Sequence, residues 1–153
     1  MFRNLLSRLF SDAPLTSSLS RQDAELAIAA LLVRLARADN RYSTEEQGRI
    51  EGVLARRHGL NREEAAERRL AAEMIEAEAP DTVRFTRTIK DRIDIDERQS
   101  VIAALWEVAY ADGQRDAEEE SLVRLIAGLL GIPDRDSALV RQRVLAGLGI
   151  PGQ

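Results

Sequence analysis

The 153-residue sequence contains no cysteine, and this absence excludes several kinds of site. Without cysteine there can be no disulfide framework, no thiolate metal site and no cysteine nucleophile. His58 is the only histidine, so a multi-histidine transition-metal site is excluded and a Ser-His-Asp triad would have to use this one residue. We expect His58 to have a structural role at a helix end. Because the chain lacks cysteine, we also expect a cytoplasmic protein.

Aromatic residues and long apolar runs are also scarce. Aromatic residues make up only 4% of the chain, which favours aliphatic helix packing over a β-rich core. The apolar run from Leu26 to Val33 is eight residues long, far below the roughly 20 that a membrane span requires. The formal net charge of −4 lacks the basic excess of a nucleic-acid-binding protein, so we expect no nucleic-acid partner.

Residues 1–20 are predicted to form an N-terminal unit ahead of a helical domain at residues 21–153. Residues 2–10 read as a short amphipathic helix followed by a serine-rich linker at 11–20. The apolar face of that helix consists of Phe2, Leu5, Leu6, Leu9 and Phe10. This apolar face can pack against the domain's own core, against a partner helix or on a membrane surface. Nine residues with two arginines make a weak membrane anchor, so we expect docking on protein.

Start and stop signals divide the remaining chain into helices. Ser43-Thr-Glu-Glu46 and Asn61-Arg-Glu-Glu64 have capping-box spacing, which predicts that helices begin after positions 43 and 61. Asp116 with Glu119 predicts a third such start. Two stretches that are apolar on nearly every side, 26–33 and 101–109, predict buried central helices. The expected fold is therefore all-α, a compact bundle of about seven to eight helices.

The shorter helices carry smaller apolar sets. After Pro80, a helix capped by Asp81 or Thr82 is expected to bury Val83, Phe85 and Ile89. The helix that starts at Asp116 is expected to pack through the residues Leu122, Val123, Leu125, Ile126, Leu129 and Leu130. The last helix, from about Asp134 to Ala146, is expected to use Ala138, Val140 and Leu145.

The chain contains an internal repeat at a shift of 73 positions. The shift places residues 30–39 on residues 103–112, where five of the ten positions are identical. It also places Ser43 on Asp116 and Glu46 on Glu119. Helix, acidic loop and acidic helix start therefore recur together. We expect two helical hairpins, 21–58 and 95–130, that pack about a pseudo-twofold axis.

The repeat includes two aspartates, Asp39 and Asp112, at unfavourable positions for a negative side chain. Both are predicted at helix C-termini, where the macrodipole disfavours a negative side chain by roughly 0.3–1 kcal/mol. One interpretation is structural: each carboxylate accepts hydrogen bonds from free backbone N–H groups of the following loop. The other is a site for a hard divalent cation such as Ca²⁺ or Mg²⁺.

The cation hypothesis assigns ligands to each loop. Asp39 with Glu46 would form the first set, and Asp112 with Asp116 and Glu119 the second. An EF-hand is excluded, because Ala117 and Val123 occupy the positions that such a loop, counted from Asp112, gives to glycine and to a bidentate glutamate. Any cation site here is of another kind.

These features resemble the TerB-like (tellurite resistance protein B) family, in which two Ala-Asp-Gly loops lead into acidic helix starts. The corresponding loops here are Ala38-Asp-Asn40 and Ala111-Asp-Gly113, so asparagine replaces the glycine of the first loop. The resemblance covers roughly residues 23–146, and the N-terminal helix looks like that of an uncharacterised bacterial subgroup. It implies an all-helical scaffold, an association with tellurite resistance and stress responses, and divalent-cation binding by the acidic cluster. The resemblance also implies relatives that are fused to J-domains in membrane-linked co-chaperones.

The function expected from these observations is a non-enzymatic binding or scaffold module with a protein partner, in which the twin acidic loops form the working surface. No catalytic residue is assigned, because no nucleophile or base stands out beside the carboxylates. The alternative is a metal-dependent hydrolase that uses the same acidic residues. A shallow acidic surface favours the module, and a deep pocket with a tightly coordinated metal favours the hydrolase.

Overall fold

The computed structural model describes residues 21–38, 42–79, 81–110 and 116–149. These ranges contain seven α-helices and no strand, which confirms the all-α class. The helices are α1 (Arg21–Ala36), α2 (Thr44–His58), α3 (Arg62–Glu78), α4 (Thr82–Lys90), α5 (Ile95–Ala109), α6 (Ala117–Leu129) and α7 (Asp134–Leu148). The predicted N-terminal helix, Asp39 and Asp112 lie outside the described residues.

Helices α1 and α5 form the centre of the bundle, as their apolar sequences predict. Every residue from Leu26 to Val33 is at most 3% exposed, and α5 buries Val101, Leu105 and Val108 completely. The two helices pack against each other, and each also packs against an outer helix, α1 against α3 and α5 against α7. None of the helices in the described ranges is long and apolar enough to cross a membrane.

Caps set the helix boundaries where the sequence predicts them. The side chains of Ser43 and Asn61 each accept a hydrogen bond from the backbone N–H three residues on, and both capping boxes are complete. Asp81 caps α4 in the same way, with Arg84 N at 3.0 Å from its Oδ1. Gly59 ends α2 with a φ of 63°, a left-handed conformation that glycine adopts without steric cost.

The repeat is visible in the helix boundaries. Helices α1 and α5 end at Ala36 and Ala109, and α2 and α6 begin at Thr44 and Ala117, so both pairs are 73 residues apart. The correspondence extends beyond the predicted hairpins, because α3 and α7 occupy matching places as the third helix of each unit. We refer to α1–α3 as the first half and to α5–α7 as the second half, with α4 as the connection.

The prediction for the α4 core was wrong at one residue. Phe85 and Ile89 are fully buried, but Val83 is 40% exposed. Phe85 and Ile89 are four residues apart and share one helix face, whereas Val83 lies two residues from Phe85 and points away from that face.

The apolar faces of α6 and α7 also differ from the expectation. In α6, Leu125 is 47% exposed although it was expected to pack. In α7, Ala138 is exposed while Val140 and Leu145 are buried. The buried position next to Ala138 is Ser137, whose Oγ accepts a hydrogen bond from Trp106 Nε1 at 3.3 Å. A buried indole N–H needs such an acceptor, which accounts for a polar side chain at this buried position.

Candidate functional site

The first acidic helix start is built around Glu46, the third residue of α2. Its backbone N–H donates to Ser43 Oγ at 3.1 Å. Its carboxylate Oε1 accepts from both the backbone N and the hydroxyl of Ser43, each at 3.2 Å. The residue is only 7% exposed, and its second oxygen, Oε2, is buried with no hydrogen-bond partner among the described residues. A buried carboxylate oxygen is costly unless it is paired or binds a cation.

The second acidic helix start shares the N-cap hydrogen bond of the first at the equivalent positions. Asp116 is the N-cap of α6, and its Oδ1 accepts from Glu119 N at 2.9 Å. Glu119 is 4% exposed, so the repeat places a buried glutamate at the third position of both helices. The N-terminal macrodipole stabilises a negative side chain at these positions, which offsets part of the desolvation cost of burial.

Three of the five predicted metal ligands are therefore described, and two are not. Glu46, Asp116 and Glu119 stand at the helix starts, whereas Asp39 and Asp112 lie outside the described residues. Within the described ranges, no group of three or more histidine, cysteine, aspartate or glutamate side chains could hold a metal ion. The full ligand sets proposed from the sequence thus stay predictions.

Described residues that flank the two acidic loops line one open cleft of about 690 Å³. Ala38, the residue before Asp39, lines this cleft together with Ala117 and Glu118, which follow the second loop. The lining also includes Arg34, Arg37, Glu76 and Thr82. The chain therefore enters the first loop and leaves the second loop at the same end of the bundle.

Two arginines and one glutamate give this cleft its polar wall. Glu76 binds Arg34 Nε at 3.0 Å through one oxygen and an Arg37 guanidinium nitrogen at 2.6 Å through the other. Arg34 also donates to the backbone carbonyl of Ala79 and lies over the Phe85 ring, 5.5 Å from its centroid. These contacts hold the end of α1 against the end of α3.

A cluster around Tyr42 borders the first loop on its C-terminal side. The Tyr42 hydroxyl donates to Glu73 Oε2 at 2.5 Å, and Arg69 contacts both Glu73 and Glu51. Burial and the Glu73 carboxylate raise the pKa of the Tyr42 phenol above its ordinary value. Burial alone would lower the pKa of Arg69, but its hydrogen bonds to Glu51, Tyr42 and Glu73 raise it, so the guanidinium is held charged.

A matching cluster around Tyr110 borders the second loop on its N-terminal side. The Tyr110 hydroxyl donates to Glu120 Oε2 at 2.7 Å, and Arg141 lies 3.4 Å from the same oxygen. The Tyr110 ring stacks on Trp106 with centroids 5.8 Å apart. Burial and the Glu120 carboxylate raise the pKa of the Tyr110 phenol. The cluster forms part of the core and anchors the residue that leads into the second loop.

The sequence reasoning did not find these two clusters. A signal for them was present, because Tyr42 and Tyr110 are the only tyrosines of the chain and each flanks one acidic loop. Their partners could not be read from the sequence, since Glu73 and Arg141 come from helices that pack there only in the folded chain.

His58 has the contacts of a structural residue. It ends α2, its side chain is 9% exposed, and Nδ1 lies 3.0 Å from Glu25 Oε1. The other Glu25 oxygen contacts Arg68 of α3 at 3.0 Å. Glu25 thus ties three helices together near the start of α1.

Comparison with known proteins agrees with this architecture. A family model described as "Tellurite resistance protein TerB" matches residues 25–142, which is more than half of the chain. The chain belongs to the TerB family. The matched region begins in α1 and ends in α7, so it includes both halves and both acidic helix starts of this TerB-family domain. No curated protein and no solved structure shows significant similarity to the chain.

Proposed function

We propose that this TerB-family protein is a non-enzymatic binding or scaffold module linked to tellurite resistance or stress response. In this proposal its two acidic loops bind divalent cations such as Ca²⁺ or Mg²⁺, and the loaded surface presents the end of the bundle to a protein partner. Family membership supports the link to tellurite resistance. The open cleft between the loop-flanking residues supports a surface that binds rather than a pocket that encloses a substrate.

The buried Glu46 carboxylate is the observation that carries the cation proposal. One of its oxygens completes the capping box, which accounts for the capping interpretation. The other is buried and lacks a hydrogen-bond partner in the described ranges, which capping does not explain. An oxygen ligand of this type suits a hard divalent cation. Asp39 would complete the first set, and Asp112, Asp116 and Glu119 would form the second.

Calorimetric titration of the metal-free protein with Ca²⁺, Mg²⁺ and Mn²⁺ tests the proposal. Glu46→Gln removes the ligand charge without changing core volume, so we expect the cation affinity of the first-half site to fall by about tenfold or more. Glu64→Gln is the matched control, because Glu64 holds the same position of a complete capping box but is exposed. Equal affinities in the wild type and both variants would contradict the proposal.

The link to tellurite resistance can be tested separately in cells. A strain that depends on this protein for growth on tellurite should lose growth with Glu46→Gln and keep it with Glu64→Gln. Loss of growth with both variants would indicate a general need for folding stability. No observation in the described residues favours the hydrolase alternative, which stays a prediction.

A further inference from the structure

The outer face of α3 carries an apolar stripe that no described element covers. The stripe consists of Ala66, Leu70, Met74 and Ala77, spaced so that they follow one side of the helix. Leu70 is 52% exposed and Met74 is 64% exposed. The stripe extends over about 16 Å, at 1.5 Å per residue. The opposite face of α3, with Ala65, Ala72 and Ile75, is already buried in the core.

The surroundings of the stripe are acidic. Glu63, Glu67 and Glu78 are exposed beside it, and none forms an ion pair with another described residue. The basic residues in the middle of α3 do not offset this charge, because Arg68 and Arg69 turn towards Glu25 and Glu51 on the packed side. Only Arg62, at the start of the helix, adds an exposed positive charge.

We infer that residues 2–10 of the same chain dock on this stripe as a short amphipathic helix. The segment has the complementary composition: five apolar residues on one helix face, Arg3 and Arg8 on the two flanks of that face, and no acidic residue. Its apolar face is about 12 Å long at 1.5 Å per residue, so it fits within the stripe. Docking covers both apolar surfaces and places the arginines beside the glutamates.

The connecting chain has the required reach. Helix α1 begins at Arg21, and its residue Glu25 contacts Arg68 of α3 at 3.0 Å, so α1 starts beside the middle of the stripe-bearing helix. Residues 11–20 can span up to about 33 Å when extended. This length reaches either end of the stripe. A tethered segment also has a high effective concentration, which favours it over a second copy or a separate partner.

Crosslinking tests the docking directly, because the natural chain has no cysteine to interfere. Leu6→Cys is combined with Leu70→Cys on the stripe and treated with a short bismaleimide. The control pair is Leu6→Cys with Leu139→Cys, which lies on α7 and is 47% exposed, close to the exposure of Leu70. We expect crosslinking within one chain to be about tenfold faster for the stripe pair. Equal rates for the two pairs, or a crosslinked dimer as the main product, would overturn the inference.

A thermal double-mutant cycle gives an independent readout in the full chain. Leu9→Glu and Met74→Glu should each lower the melting temperature by about 2–4 °C, because each places a charge in the docked contact. The melting temperature of the double variant should be no lower than that of the less stable single variant, because both changes break the same interaction. Additive losses, or no loss with either variant, would overturn the inference. Neither experiment depends on a cation, so both can fail or succeed independently of the proposed function.

Discussion

The two halves of the bundle differ most at the junction between their first and second helices. In the first half, Tyr42 follows the acidic loop and Ser43 caps α2 in a reciprocal capping box with Glu46. In the second half, Tyr110 precedes the loop and Asp116 caps α6. The phenol therefore stands on opposite sides of the two loops, although the helices begin and end at equivalent positions.

The partners of the two phenols also come from different places. Tyr42 donates to Glu73 of α3, whereas Tyr110 donates to Glu120 of α6 and lies near Arg141 of α7. Apolar periodicity and caps therefore define the shared helical frame, while the tyrosine beside each loop is held by the polar residues that pack there. The cation sites proposed for the two halves therefore rest on the elements that both halves share, the buried glutamates Glu46 and Glu119 of the helix starts.

The largest expected effect of a single substitution lies in the core of the second half. Trp106 occupies the place that Val33 has in the first half, and it adds a stacked ring and a hydrogen bond to Ser137. Trp106→Ala should lower the free energy of unfolding by about 3–5 kcal/mol, and Val33→Ala by about 1–2 kcal/mol. Urea unfolding followed by circular dichroism measures both. Equal losses would mean that the two positions contribute equally to stability, which would contradict the predicted difference between the halves.

The two tyrosine clusters should contribute unequally at neutral pH. Tyr110 is 1% exposed and Tyr42 is half-buried, so removing a hydroxyl that bonds to a carboxylate costs more in the second half. We expect Tyr110→Phe to lower the free energy of unfolding by about 1.5–3 kcal/mol and Tyr42→Phe by about 0.5–1.5 kcal/mol. A larger loss for Tyr42→Phe than for Tyr110→Phe would mean that the first-half cluster contributes more to stability, contrary to this prediction.

Stability measurements at alkaline pH separate the contribution of the tyrosine hydroxyls from that of ring packing. Both phenols have a pKa raised above the ordinary value of 10.0, so the folded chain keeps protons that the unfolded chain releases. The stability that this provides is complete below pH 10 and is lost as the pH rises above it. Urea midpoints measured between about pH 9 and 11 should fall less steeply in each phenylalanine variant than in the wild type. Unchanged slopes would contradict the raised pKa values of the two phenols.

The smallest expected effect concerns the second helix of each half. Helix α2 has Gly48 and Gly52 where α6 has Ser121 and Leu125. A Cβ at either glycine would meet nothing within 4 Å in the described parts of the chain, so the glycines serve no close helix contact there. Gly48→Ala and Gly52→Ala should each raise the free energy of unfolding by about 0.5–1 kcal/mol through helix propensity. A loss of stability would indicate that something outside the described residues packs on this surface.

The sequence predicted the helix boundaries better than it predicted side-chain exposure and polar contacts between helices. Capping residues such as Ser43, Asn61 and Asp116 act locally, so the helix starts could be read within a few positions. Val83 and Ala138 were misjudged because their exposure depends on which side of a helix meets its neighbours. Apolar periodicity alone cannot show that Trp106 needs an acceptor on α7. The polar clusters were missed for the same reason, since Tyr42 and its partner Glu73 are 31 residues apart.

The proposed cation sites are equivalent in the two halves, and the number of cations bound per chain tests this equivalence. Calorimetric titration with Ca²⁺ should give two sites for the full chain. Glu46→Gln should leave only the second-half site, and Glu119→Gln only the first-half site, with circular dichroism unchanged in both. The absence of Ca²⁺ binding to the wild type, or the same number of sites in all three proteins, would contradict the account.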